Sequence, residues 1–112
     1  MPVTNTLVCG EAILTTAALT AASTEIVADP GSTGSKRVNL YFCNTTGSDV
    51  TVDIARVVGG VLYRIALGWK VPANDTRIME NVALTNGRTI RARASNAAAI
   101  EVTIDAVTRT ET

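Results

Sequence analysis

The segment Gly31-Ser32-Thr33-Gly34-Ser35-Lys36 carries the glycines, hydroxyls and lysine of a phosphate-binding loop. Its spacing departs from that motif, and a strand-like run follows where a helix N-terminus would have to receive the phosphate. Asp29, Asp49, Asp53, Asp75 and Asp105 are scattered. None belongs to the alternating acidic loop of a calcium site, which leaves only a metal shared at a subunit contact. Nucleophilic catalysis needs a nucleophile beside a base. The chain has no histidine, and Cys9 and Cys43 lie in no motif. A paired-carboxylate mechanism needs two acids held across a cleft, for which a core this small leaves little room. The expectation is a protein that is not an enzyme and uses no cofactor.

The remaining candidates are contact residues. Arg88, Arg91 and Arg93 make a basic ridge, which Arg77 joins if its strand pairs with theirs. One reading is a solvated sheet face balanced by Glu101 and Asp105 across a hairpin; the other is a contact with an acidic protein surface. Tyr63 and Trp69 share a parity and would anchor a sheet core or an interface. Leu7 and Val8 lie in an apolar N-terminal arm. Lys plus Arg equals Asp plus Glu at 10 each, which argues against a nucleic-acid binder. The charges are uneven: residues 1–35 hold Glu11, Glu25 and Asp29 and no basic side chain. Surfaces of opposite sign would attract one another between subunits.

Two cysteines make no disulfide framework, and both read as small buried side chains in a reducing, cytoplasmic compartment. No basic region opens the chain as in a secretory signal, and no apolar run approaches membrane-spanning length. At 112 residues the chain fits one domain. Its apolar residues are largely Ala and Val, so the core is thin and burial against partner subunits is favoured.

The elements that must position these residues read as strands. Val38, Leu40 and Phe42 alternate with Arg37, Asn39 and Tyr41, and Val50, Val52 and Ile54 alternate likewise. With the turn-forming stretch Asn44-Thr45-Thr46-Gly47-Ser48-Asp49 between them, Lys36 to Val57 reads as a central hairpin. Thr4 to Cys9 is a short arm interrupted at Gly10 and Glu11. Ala12 to Ala22 fits strand or helix, and strand is chosen because no N-cap precedes it. Ser23 to Ala28 is a further strand, and Asp29 to Ser35 a loop. Gly59-Gly60 marks a tight turn into a strand from Val61, on which Tyr63, Ile65 and Leu67 share a face that continues to Trp69 and Val71 across a bulge at Gly68. Pro72 to Asp75 is a turn. Ile78 and Val82 are core candidates of the next strand, and Asn86-Gly87 is a strong hairpin signal. Ile90, Ala92 and Ala94, then Ile100, Val102 and Ile104, face inward on the last two strands. The glycosylation-like triplets at Asn44 and Asn74 read as turns. The sum is an all-β chain, a small antiparallel β-sandwich or jelly roll. It divides into an N-terminal arm with the first strands (1–35), a sandwich core (36–107) and a polar tail (108–112).

The stretch VNLYFCNTTGSDVTVDIARV, Val38 to Val57, resembles a recurring segment of small virion proteins of tailed bacteriophages. There, a strand ending in a CNT-like triplet precedes a small-residue turn and a VTV strand. Trp69 to Thr76 is similar to their V-P-A-x-D-T turn, and Leu84 to Ala92 resembles their L-x-x-G-D-x-I/L-x-A segment, with Arg88 where relatives often carry Asp. The resemblance covers Lys36 to Val107. It implies a β-sandwich module of the virion, assembled in the host bacterial cytoplasm, that decorates or cements the capsid or sits near the tail. The implied partners are further copies of the chain, as a trimer or larger symmetric array, and the major capsid protein or tail structural proteins. It carries no catalytic residue and no metal, nucleic-acid or membrane site.

Overall fold

Period-2 apolar patterning along most of the chain forces two half-buried sheets to face one another. The computed structural model describes residues 3–20 and 24–111. Its strands are β1 (Val3–Ile13), β2 (Glu25–Val27), β3 (Gly34–Asn44), β4 (Val50–Val58), β5 (Val61–Val71), β6 (Thr76–Thr85), β7 (Arg88–Ala94) and β8 (Ile100–Glu111). They form two four-stranded antiparallel sheets, in the orders β1-β8-β3-β6 and β2-β7-β4-β5. This is the strand order of an eight-stranded jelly roll. The body is elongated, 51 × 26 × 17 Å.

Val38, Leu40 and Phe42 of β3 and Val102 and Ile104 of β8 face Val50, Val52 and Ile54 of β4 and Ile90, Ala92 and Ala94 of β7, all buried. These inward residues are those the alternation indicates. The connection between β3 and β4 differs from the expectation. It is an arch that carries the chain from one sheet to the other, not a hairpin. Asn44, 1% exposed, holds the arch. Its Nδ2 donates to the carbonyls of Ser48 (2.7 Å) and Val71 (3.0 Å), and its Oδ1 accepts from the backbone N–H (2.9 Å) and hydroxyl (2.7 Å) of Thr46.

Asn86-Gly87 likewise joins β6 and β7 of opposite sheets, so it too is a crossing rather than a hairpin. The turn at Gly59-Gly60 is a true hairpin, pairing Val58 with Val61, and both glycines have positive φ (58° and 76°). That is the geometry a two-residue turn between right-twisted strands requires.

Two bulges, at Gly68 on β5 and at Asn81 on β6, change which side chains face the core. Between Val52↔Trp69 and Ile54↔Ala66 the register slips, with Gly68 at φ 67°. Another slip lies between Ile54↔Ala66 and Ala55↔Arg64. Trp69 and Val71 therefore turn to the core, while Tyr63, Ile65 and Leu67 stay exposed; the shared face expected for all five is broken. On β6 the slip between Val38↔Val82 and Leu40↔Met79 spans Asn81 (φ 56°). Val82 is buried as expected (8% exposed), but Ile78 is 49% exposed and Met79 packs on the core in its place.

The N-terminal third differs in other ways. Gly10 and Glu11 do not interrupt a strand; β1 runs unbroken through them. The strand expected over 12–22 ends at Ile13. Residues 14–19 are irregular, Thr20 forms an isolated bridge, and 21–22 lie outside the described residues. Of the strand expected from Ser23 to Ala28, Glu25–Val27 is strand and Ser23 lies outside the described residues. At the other end, the expected tail from Thr108 is strand through Glu111, paired with β1 and β3, and Thr112 lies outside the described residues. Neither cysteine is buried: Cys9 is exposed and Cys43 half-buried.

Candidate functional site

The expected ridge is broken by strand parity: Arg91 and Arg93 share the outward face of β7, whereas Arg88 falls on the parity of the buried Ile90, Ala92 and Ala94, and most of the charge of all three is spent inside the molecule. Arg93 Nη1 donates to Asp53 Oδ2 at 3.0 Å, and its Nε and Nη2 donate to the carbonyls of Ala17 (3.2 Å) and Thr16 (3.1 Å). One guanidinium thus ties the irregular 14–20 segment to the β4–β7 sheet; a planar fork of donors suits that task. Arg91 lies 3.6 Å from Glu25 of β2, with its side chain only 12% exposed. Arg88 Nη1 donates to Thr85 Oγ1 (2.8 Å) and to the Asn86 carbonyl (3.1 Å), closing its own turn. Arg77 is on β6 in the other sheet, opposite Phe42, and does not join the row. Glu101 and Asp105, on β8, are in that other sheet too, so they do not balance the ridge.

Trp69 is half-buried and meets Phe42 edge-on, ring centroids 5.7 Å apart at 75°. This contact bridges the two sheets in a geometry aromatic pairs favour.

Leu7 and Val8 occupy β1, an outer strand of its sheet. In register with buried Ala106, Val8 points toward the opposing sheet, yet it is 42% exposed, because the strand that begins that sheet, β2, has only three residues. Leu7 points outward, 81% exposed. Exposed Val3, Ile13 and Val107 flank it. The sequence reading missed these three; the signal was available in the alternation Val3, Leu7, Cys9, Ile13 along one face of β1. A second exposed apolar group, Val61, Tyr63, Ile65 and Leu67, lies on β5.

Two carboxylates are held below their ordinary value of 3.8. Asp29 is lowered by backbone N–H donors from Gly31 (2.8 Å) and Gly87 (3.1 Å). Asp49 is lowered by Lys70 (3.1 Å) and by the Ala73 N–H (3.1 Å). Both fasten loops to turns. Among the described residues, no group of three or more His, Cys, Asp or Glu could hold a metal ion, and no helix is long and apolar enough to cross a membrane. What the arrangement offers is exposed apolar contact surface on β1 and β5.

No protein-family model matches the chain, and no curated protein matches it. Solved structures do. A subunit from "Bacillus endospore appendages form a novel family of disulfide-linked pili" is 20% identical, with a TM-score of 0.54 over 96% of this chain and 87% of that one. The infectious bursal disease virus Gx strain structure is 11% identical (TM-score 0.43, 99% of this chain and 38% of that one). The VP2 subviral particle of the same virus is 12% identical (TM-score 0.45, 96% and 31%). The chain spans about a third of the length of those two viral chains. At 20% identity, what this chain shares with the appendage subunit is the fold, a small antiparallel β-sandwich.

Proposed function

We propose that this chain is a structural virion protein of a tailed bacteriophage that decorates or cements the capsid as a symmetric array of copies. The observation that carries the reading is where its apolar and charged groups lie. Arg91 and Arg93 are consumed in internal pairs, while Leu7, Ile13 and Leu67 are left in the open on outer strands. Exposed apolar groups on a rigid body mark contact sites. The ordered resemblance of Lys36 to Val107 to small phage virion proteins supplies the setting. Leu7, Val8 and Arg77 are the proposed contact residues; Arg88, Arg91, Arg93 and Trp69 act by holding the body together.

A tail, neck or baseplate position is the second phage reading, supported by the same segment resemblance. A pilus-like filament is a reading of another kind, favoured by the likeness in fold to the endospore appendage subunit. Recognition of a host surface through Trp69 is disfavoured, since that ring is turned to the core.

Incubating the purified protein with particles lacking it, followed by imaging, separates these. Cementing gives a regular lattice of added density on the shell and greater resistance to heat, because binding only the assembled shell stabilises it. Density confined to the portal or tail overturns decoration in favour of the tail, and filaments of the protein alone favour the pilus-like reading.

A further inference from the structure

The four outer strands of the two sheets are not alike. β2 has three residues and an irregular register against β7. β5 carries two register slips and Gly68 at positive φ. β6 carries a slip and Asn81 at positive φ. Short strands and bulges are the devices that stop a sheet edge from pairing with another chain. β1 has none of them. Its eleven residues pair with β8 in unbroken register from Val3↔Glu111 to Ile13↔Glu101. It contains no proline or lysine, and its one charged side chain is Glu11. Eleven residues of strand extend over roughly 37 Å.

We propose that the free edge of β1 pairs antiparallel with β1 of a second copy about a two-fold axis through Val8, joining two four-stranded sheets into one of eight strands. The proposal rests on the assembly reading above and names the contact. The strand is complementary to itself in this full-length register. Val8 meets the partner's Val8. On the outward face Leu7 meets the partner's Cys9, and Val3 meets the partner's Ile13. Glu11 meets the partner's Asn5, so no like charges stand opposed. Behind Asn5 in register is Arg109 of β8. Each Glu11 therefore lies in one cross-strand row with the partner's Arg109, across the short Asn5 side chain, where it would join the surface pair that Arg109 makes with Glu111 of its own strand (3.2 Å). A shift of the axis to Leu7 sets Val3 against the partner's Glu11 and leaves Ile13 unpaired; a shift to Cys9 sets Leu7 against it and leaves Val3 unpaired. An isologous contact of this kind closes on itself and serves as one symmetry element of a larger array.

Cross-linking reads the register directly. In a Cys9→Ser, Cys43→Ser background, Val8→Cys puts two thiols opposite one another across the axis, with Cα atoms about 4.5–5.5 Å apart, within disulfide range. Mild oxidation should give a covalent dimer on a non-reducing gel. Asn5→Cys in the same background should not, because its copies are six residues out of step, roughly 20 Å apart. Cys9 of the unmodified chain is diagonal to its copy at about 7–8 Å, and should cross-link poorly. Leu7→Lys, at an exposed position, sets two like charges on that diagonal and should raise the dissociation constant tenfold or more in sedimentation velocity. Should the unmodified protein assemble while Val8→Cys stays uncross-linked, or Asn5→Cys cross-link as well as Val8→Cys, this pairing is wrong and the assembly reading stands. Monomers at every concentration, on their own and on the particle, overturn both.

Discussion

Asp53 Oδ1 accepts the backbone N–H of Gly68 at 2.7 Å across the β4–β5 pair, where the two strands fall out of register. The same device recurs in the other sheet, where Asn39 Oδ1 accepts the N–H of Asn81 at 2.9 Å across the β3–β6 slip. In each case a polar side chain on an inner strand takes the donor that the bulge frees from the ladder. The bulge then turns the next part of the strand over. Trp69 and Met79 are turned to the core as a result.

Asp53 also holds Arg93, so one residue supports both the bulge and the clamp on the 14–20 segment. Asp53→Ala should cost about 1–3 kcal/mol in urea unfolding, the range for leaving a partly buried donor unmet. Asp53→Asn keeps an acceptor for Gly68 and should cost less. A cost equal for both variants would place the whole effect on the Arg93 pair. Gly68→Ala meets no neighbouring atom, so its cost is conformational alone, about 1–2 kcal/mol for an L residue in the left-handed region.

The arch between the sheets depends on Asn44. Asn44→Ala removes both donors to the Ser48 and Val71 carbonyls and both acceptor contacts with Thr46. The expected loss is about 2–4 kcal/mol, the sum expected when more than one buried polar group loses its partner. Cys43→Ala, one residue away and half-buried, should cost much less. Similar unfolding midpoints for the two variants would show that Asn44 does not organise the arch.

Phe42 and Trp69 join the two sheets through their rings. Phe42→Ala should cost about 3–5 kcal/mol as a large-to-small change in the core. Trp69 is the sole tryptophan, so its emission reports on this contact alone. Phe42→Ala should shift that emission to the red under native conditions, as water enters beside the indole. An unshifted spectrum in a folded variant would place Trp69 in an environment independent of Phe42.

Much of the fold was legible because most strands obey strict alternation. Val38, Leu40 and Phe42, then Ile90, Ala92 and Ala94, could be assigned to the core from spacing alone. Alternation stops at a bulge, and the two bulges were unequally visible. Gly68 announced itself as a glycine within a strand; Asn81 carries no comparable mark, and Ile78 was therefore assigned to the wrong face. Turn chemistry was readable at 44–49 and 86–87, but it fixes only that the chain reverses. Whether it returns within its own sheet or crosses to the other is decided by packing over the whole domain, so two crossings read as hairpins. Arg91 and Arg93 of β7 were visible as residues but not as pairs, since Asp53, Glu25 and the Thr16 and Ala17 carbonyls come from distant parts of the chain.

The β6 bulge makes a paired prediction. Ile78→Thr should leave stability within about 0.5 kcal/mol, as for other surface changes. Val82→Thr puts a hydroxyl into the core and should cost about 1–3 kcal/mol, the range for burying an unpaired polar group. Thermal or urea unfolding of the two variants decides it, and the reverse order would mean that the strand is in register through Asn81.

Asp29 joins the 28–33 loop to the crossing at Asn86-Gly87, accepting the N–H groups of Gly31 and Gly87 through one oxygen. Lys36 lies nearby, donating its ammonium to the Ala28 carbonyl at 3.1 Å. The two backbone donors hold the Asp29 carboxyl below 3.8, with a smaller contribution from the Lys36 charge. A carboxyl lowered in the folded state binds its proton more weakly there than in the unfolded chain. Its contribution is therefore complete above the unfolded value and is lost as pH falls through the lower, folded one. Acidification from neutral to below 3.8 should loosen this junction, lowering the protection of the Gly31 and Gly87 amides relative to their intrinsic exchange rates before the sheets open. Asp29→Asn keeps an acceptor but cannot titrate, so it should flatten that part of the pH profile while leaving the fold intact at neutral pH. An Asp29→Asn profile that still falls as steeply as the unmodified protein's would assign the acid sensitivity to another carboxylate, with Asp49, also lowered, the next to test.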